Sequence, residues 1–337
     1  MANVSEISKL HKDGQYFSFK GTETLIDELT ALGMLDKKSE DNISKAKKAQ
    51  STGCIMGIAG AVIVFITLMI ATEFGGGGGT GFFVFIGFMV GLFGLIFYNI
   101  KKGEIRQFSK DEFPDYRYQT CLSLLSLLQT DIATNAILDL SVNLKPHPFI
   151  TPDEPNQKDK TKKPKGERMW KTTFEPIINL KGRFKDGTKF DYELTEHLGA
   201  YGEWFYYRAI SGKTKTKLRA RKRTRWSGKL RLRFKDKRYN LDSMSLEAIE
   251  GMVQIPQGAR FKKIKQGDSE ITLTAVTDTI KQKHKAKLTQ NIIAAWEGML
   301  LEDEKKISNE LGHLSAMMFL SLYQVMNANQ ENKAKKS

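Results

Sequence analysis

"KTKTKLRARKRTRWSGKLRLRFK" fills residues 213–235 and places a basic side chain at every odd position from Lys213 to Arg225. The alternation resumes at Lys229, Arg231, Arg233 and Lys235. A period of two is strand spacing, so these cations form a row on one face of a ribbon. Between the two runs stands Trp226-Ser227-Gly228, which reads as a three-residue hairpin loop with Gly228 in the left-handed conformation such loops need. That register opposes Arg225 to Lys229, Arg223 to Arg231 and Arg221 to Arg233. It turns Leu218, Ala220, Leu230, Leu232 and Phe234 toward a core.

Directly opposed like charges weaken a hairpin by roughly 0.2–1 kcal/mol per pair. An anionic membrane surface returns about 1 kcal/mol for each nearby Lys or Arg, and nucleic-acid phosphates act similarly through counterion release. The row therefore predicts an anionic partner, met by Lys213, Lys215, Lys217, Arg219, Arg221, Arg223, Arg225, Lys229, Arg231, Arg233 and Lys235. The candidate partners are anionic lipid headgroups, nucleic acid or an acidic protein. The plainer reading is a solvated face, or lysines guarding an exposed edge strand. Aromatic residues interleaved with the charge would favour single-stranded nucleic acid, and within this stretch only Trp226 and Phe234 qualify.

Working outward, residues 169–280 are mainly strand-like and form a β-rich basic domain. "MWKTTFEPIINLKGRF" and "TKFDYELTE" flank Lys185-Asp186-Gly187, a hairpin signal. "EWFYYRAI" and "SEITLTAVT" read as further strands. Residues 102–145 hold a helix beginning beyond Pro114 and a half-buried strand, with Leu138, Leu140, Val142 and Leu144 on one face. Residues 146–168 are rich in Pro and Lys and read as a loop or linker. From about Lys281 to 330 the spacing turns helical, with Leu288, Ile292, Trp296 and Met299 on one face. The uncharged stretch near Met317 is too short for a span of about 20 residues, so it reads as a core or oligomerisation helix.

The chain opens differently. Residues 1–50 include an amphipathic helix with Leu25, Ile26, Leu29, Leu32 and Leu35 at helical spacing. Residues 51–101 hold two uncharged runs, "GCIMGIAGAVIVFITLMIAT" and "GFFVFIGFMVGLFGLIFYNI", joined through "EFGGGGGTGF". Each run has about the length that spans a bilayer as a helix. Lys45, Lys47, Lys48, Lys101, Lys102 and Arg106 flank the pair, while the connector carries only Glu73. The positive-inside preference then puts both termini in the cytoplasm and the connector outside. Gly53, Gly57 and Ala61 on the first run, and Gly87, Gly91 and Gly94 on the second, are the expected helix-packing residues. They serve either the hairpin itself or contacts between copies in a homo-oligomer.

No chemistry announces itself. The five histidines are scattered and the two cysteines, Cys54 and Cys121, lie far apart, so no metal site, structural disulfide or cofactor is expected. Neither apolar run has an interior ionisable group, which argues against a proton- or ion-coupled pump. The fold class expected is a two-span transmembrane helical hairpin plus a cytoplasmic α+β domain with an antiparallel β-rich centre and C-terminal helices. The function expected is a membrane-anchored, non-enzymatic scaffold or regulator engaging an anionic surface or acidic partner. The alternative is an oligomeric channel or pore-like assembly of glycine-rich hairpins.

Overall fold

A computed structural model describes residues 15–74, 79–108, 115–133, 136–145, 169–208, 210–235, 239, 244–287 and 304–334. The chain divides into two compact units: Met1–Ala31 with Pro114–Ser337, and Leu32–Phe113.

Helix α1 (Thr22–Phe74) begins in the first unit and makes up the second together with α2 (Gly79–Phe108). The amphipathic helix expected near residue 25 and the first apolar run are one continuous helix. No proline interrupts residues 22–74, and a single interior glycine such as Gly33 costs only about 1 kcal/mol. Both helices are long and apolar enough to cross a membrane, with mean hydropathy of 2.7 and 2.3 in their most apolar windows. Only 6% and 11% of those windows is buried. A core helix of a water-soluble domain would hide this surface, because exposed apolar patches of that extent are rare.

Glycines form the seam between α1 and α2. A Cβ on Gly60 would lie 2.4 Å from the Gly91 backbone nitrogen, and one on Gly94 would lie 2.5 Å from that of Gly57. Gly53 and Gly87 are less tight, with nearest approaches of 3.0 Å to the Tyr98 nitrogen and 2.9 Å to a Val64 methyl. Gly57 and Gly91 contribute differently: a Cβ on Gly57 meets nothing, and their value is the bare backbone they present to Gly94 and Gly60. Gly60, absent from the expected set, sits at the tightest point.

The first unit is built on an antiparallel sheet. Its strands are β1 (Gln15–Lys20), β2 (Leu138–Asn143), β3 (Met169–Arg183), β4 (Lys189–Arg208), β5 (Thr214–Arg233), β6 (Ala259–Gln266), β7 (Glu270–Thr277) and β8 (Ile280–Lys287). Their order is β1-β2-β3-β4-β5-β7-β6, with β8 also on β5. β2 alternates as expected, burying Leu138, Leu140 and Val142. The β3–β4 hairpin turns at Lys185-Asp186-Gly187, where Gly187 has φ +91° and Asp186 Oδ1 accepts the Thr188 N–H at 2.8 Å.

Strand β5 overturns the expected loop. It runs unbroken from Thr214 to Arg233, straight through Trp226-Ser227-Gly228. Ladder pairing on both sides outweighs local turn propensity. Gly228 is needed for a different reason: a Cβ there would stand 2.7 Å from Met318 Sδ. β8 is a second correction, because a helical segment was expected from Lys281 and residues 280–287 form a strand. The expected helical positions Leu288, Ile292, Trp296 and Met299 lie outside the described residues, as does the linker at 146–168.

Helix α3 (Asp115–Leu128) and the C-terminal helix α5 (Glu304–Ala334) cover the inner face, with the short α4 (Leu246–Met252) against α5. The uncharged stretch near Met317 is therefore a core element. Leu311, Leu314, Met318, Phe319 and Leu322 are buried. Tyr192 and Ser315 share a hydrogen bond of 2.6 Å, and the Phe319 ring meets those of Phe190 and Tyr192 at 5.8 and 5.7 Å. Each such apolar side chain contributes about 1.5–3 kcal/mol on burial.

Candidate anion-binding face

The alternation of β5 sorts its residues cleanly. Thr224, Trp226, Leu230, Leu232 and Phe234 are buried beneath the helices. Arg223, Arg225, Lys229, Arg233 and Lys235 are exposed on the other face, with Arg231 half-buried and Lys213 exposed at the strand's start. Lys215, Lys217, Arg219 and Arg221 belong to the same face by backbone register. Trp226 and Phe234, the two aromatics of this stretch, are inner-face residues and do not interleave with the charge.

The hairpin pairing Arg225–Lys229, Arg223–Arg231 and Arg221–Arg233 does not occur. Each cation instead faces a neighbour on another strand. In the segment 229–233, β4 places Glu193 opposite Lys229 and Asp191 opposite Arg231. β7 places Glu270 opposite Arg233, and Arg233 Nε donates to Glu270 Oε2 at 3.2 Å. In the segment 217–224, β8 places Lys287, Lys285, Lys283 and Lys281 opposite Lys217, Arg219, Arg221 and Arg223. Two alternating rows of basic residues are therefore in backbone register on neighbouring strands. The sequence held the signal, since lysine alternates in Lys281-x-Lys283-x-Lys285-x-Lys287, but a helical reading of that segment concealed it.

β7 and β8 lie end to end along one edge of β5 and change over beside Trp226. The ladder would lose a bond there. The Trp226 N–H donates to Thr277 Oγ1 at 2.9 Å, so a side chain closes the gap. Beneath this junction Glu196, paired with Trp226 in the β4–β5 register, points inward. Arg117 Nη2 donates to Glu196 Oε2 at 3.0 Å, with both side chains buried. Arg117 Nη1 donates to the Asn143 and Lys145 carbonyls at 2.6 and 2.8 Å, tying α3 to the end of β2. Burial opposes the guanidinium charge, but Tyr116 and Glu196 beside it outweigh that and keep its pKa raised. Burial likewise raises the Tyr116 phenol, whose hydroxyl donates to Glu196 at 3.1 Å.

Among the described residues, two grooves open on the basic face. One, of about 310 Å³, is lined by His197, Arg225, Ser227, Arg260 and Lys262 among others. His197 Nε2 and Ser227 Oγ lie 2.8 Å apart, and its Nδ1 is buried without a partner. Burial, then the positive charges of Arg225 and Lys262, lower the His197 pKa. The other groove, of about 410 Å³, lies between β5, β7 and β6 and includes Lys229, Arg231, Lys263 and Lys265. The β6 cations were not among the expected binding residues. A β-bulge between Phe261 and Lys263 breaks their alternation, so no simple period marks them in the sequence.

Among the described residues no group of three or more His, Cys, Asp or Glu comes together in a way that could hold a metal ion. Comparison with protein-family models, curated proteins and solved structures yields no match to the chain.

Proposed function

We propose that the chain is a membrane-anchored, non-enzymatic scaffold or regulator whose basic sheet face engages an anionic surface or acidic partner. The observation that carries this reading is the column Lys281, Lys283, Lys285 and Lys287 in register beside Arg223, Arg221, Arg219 and Lys217. Each opposed pair costs roughly 0.2–1 kcal/mol in the free protein. A sheet that concentrates like charge on one face at that cost is explained when a polyanion neutralises it. Rows two residues apart repeat every ~6.8 Å along the strands, which suits a surface or polymer bearing many closely spaced anions.

Membrane anchoring is supported by the exposed apolar surface of α1 and α2, which only an apolar medium would satisfy. β1 precedes this helical pair and β2 follows it, yet the two strands zip together, Lys20 opposite Leu138. That pairing supports a reading in which both ends of the pair lie on one side of the bilayer. The lysine-rich flanks assign that side to the cytoplasm. The glycine seam is consumed within the hairpin, which favours an anchor over a pore assembled between copies.

The test uses the full chain in nanodiscs of neutral phosphatidylcholine. It should bind vesicles containing anionic lipid, or single-stranded nucleic acid, with an affinity that falls as salt rises. Arg219→Gln, Arg221→Gln, Lys283→Gln and Lys285→Gln combined should weaken that binding at least tenfold. If the parent binds neither probe at low salt, the face is only solvated and the proposal fails.

A further inference from the structure

The larger groove differs from the rest of the basic face because it is concave and its donors converge. Three strands build it in rungs. Lys229 on β5 stands opposite Thr274 on β7, which stands opposite Lys263 on β6. One rung along, Arg231 stands opposite Thr272, and Thr272 opposite Lys265. Neighbouring strands lie about 4.8 Å apart, so the flanking cations of each rung are separated by about 9.6 Å across a short hydroxyl side chain. Long basic walls over a threonine floor make the trough of about 410 Å³, within the usual range of about 300–1,000 Å³ for small-ligand sites.

One atom in this wall is uncommitted. Arg231 Nε is buried and has no hydrogen-bond partner, whereas the same atom of Arg233, two residues on, donates to Glu270. Asp191 and Glu193 neighbour Arg231 and Lys229 from β4, on the side away from the groove. Among the described residues neither forms an ion pair with them. Four cations therefore line the groove against one carboxylate, Glu270, which Arg233 already engages. Arg231 is half-buried in the groove wall, and no carboxylate among the described residues pairs with it, so its charge suits an anion from outside the chain.

We infer that this groove binds a phosphate dianion of the phosphomonoester type, carried either on a lipid headgroup or on a free small molecule. A terminal phosphate offers three acceptor oxygens. The Arg231 fork, the three lysine ammoniums and the threonine hydroxyls supply donors of the matching kind. Among the described residues no aromatic side chain lines the groove to stack on a nucleobase. The site deepens the anionic-partner reading by adding a compact, selective pocket to a face that otherwise recognises charge density.

The experiment again uses the full chain in phosphatidylcholine nanodiscs. Vesicles containing phosphatidic acid, a phosphomonoester lipid, are compared with phosphatidylserine vesicles of equal surface charge, with inorganic phosphate and pyrophosphate as soluble probes. The expected result is at least tenfold tighter binding of one phosphomonoester source than of its control. Arg231→Gln and Lys265→Gln should each abolish that preference. Thermal unfolding of each variant, with Lys265 exposed and so safe for folding, separates lost binding from lost structure. Preference for phosphatidic acid assigns the lipid source; binding of pyrophosphate without vesicle preference assigns the soluble one. If phosphatidic acid and phosphatidylserine vesicles bind equally and neither soluble probe binds, the groove is no phosphate site, although the anionic-partner reading stands. If no anion binds at all, both fall.

Discussion

Strand β5 keeps one sequence pattern from end to end, yet its two halves live among different neighbours. Residues 227–233 lie between β4 and β7, where Glu193, Asp191 and Glu270 stand opposite Lys229, Arg231 and Arg233. Residues 217–224 lie between β4 and β8, where four lysines stand opposite Lys217, Arg219, Arg221 and Arg223. The first half has three acids and one lysine, Lys189 opposite Arg233, as these neighbours, whereas the second has four lysines and one acid, Glu203 opposite Arg219. A charge pattern along one strand therefore says little about the field it produces; the cross-strand partners decide it.

The largest effect should come from the junction that separates these halves. Arg117→Leu strips the buried partner from Glu196 beneath Trp226, and breaking such a pair costs about 3–5 kcal/mol. Urea unfolding followed by tryptophan fluorescence should show that loss. Adding Glu196→Leu to the variant should recover most of it, since the uncompensated charge goes too. Full stability in the single variant would mean that the junction does not depend on the pair.

Exchanging the neighbours should come next. Asp191→Lys with Glu193→Lys makes the compensated half resemble the loaded one, lowering stability by roughly 0.2–1 kcal/mol per pair and strengthening polyanion binding. Lys283→Glu should act in the opposite sense on both measures. If stability and anion affinity do not move in opposite directions across these variants, the contrast between the halves has no energetic content.

A smaller and pH-dependent effect is expected at His197, which faces Arg225 at the boundary. Its pKa is lowered in the folded chain by burial and then by Arg225 and Lys262. Above the unfolded value of about 6.5 the imidazole is neutral in both states and costs nothing. As pH falls through 6.5 toward the folded value, the unfolded chain takes up the proton first, and stability declines until both states are protonated. His197→Gln should flatten that decline in unfolding midpoints. A polyanion bound to Arg225 and Lys262 should raise the His197 pKa, as read from its imidazole NMR titration.

Much of this was legible in the sequence where one periodicity spoke alone. The two apolar runs, the alternation of Leu138, Leu140 and Val142, and the Lys185-Asp186-Gly187 turn all specify their structures locally. The reading failed where a local signal met a tertiary demand. Trp226-Ser227-Gly228 has the composition of a loop, but its glycine makes room for Met318 on a helix some ninety residues further on. Likewise Gln15–Lys20 is too short to declare itself, and it becomes a strand because β2 offers an edge. Of the basic face, the β5 column was visible from its period. The β8 column and the bulged β6 cations depended on pairings that no single stretch encodes.

The pairing of β1 with β2 also orders events in time. β1 leaves the ribosome before the apolar hairpin, and its partner emerges only after both helices have been made, since Lys20 must await Leu138. Closing so long a loop is slow relative to local structure, because the chain entropy is lost before the contacts form. Until then the first strand has an open edge and no sheet to join, the condition in which nascent chains recruit chaperones or aggregate. Biogenesis of this protein should therefore be more sensitive to delayed translation between residue 20 and residue 143 than to delays beyond residue 143.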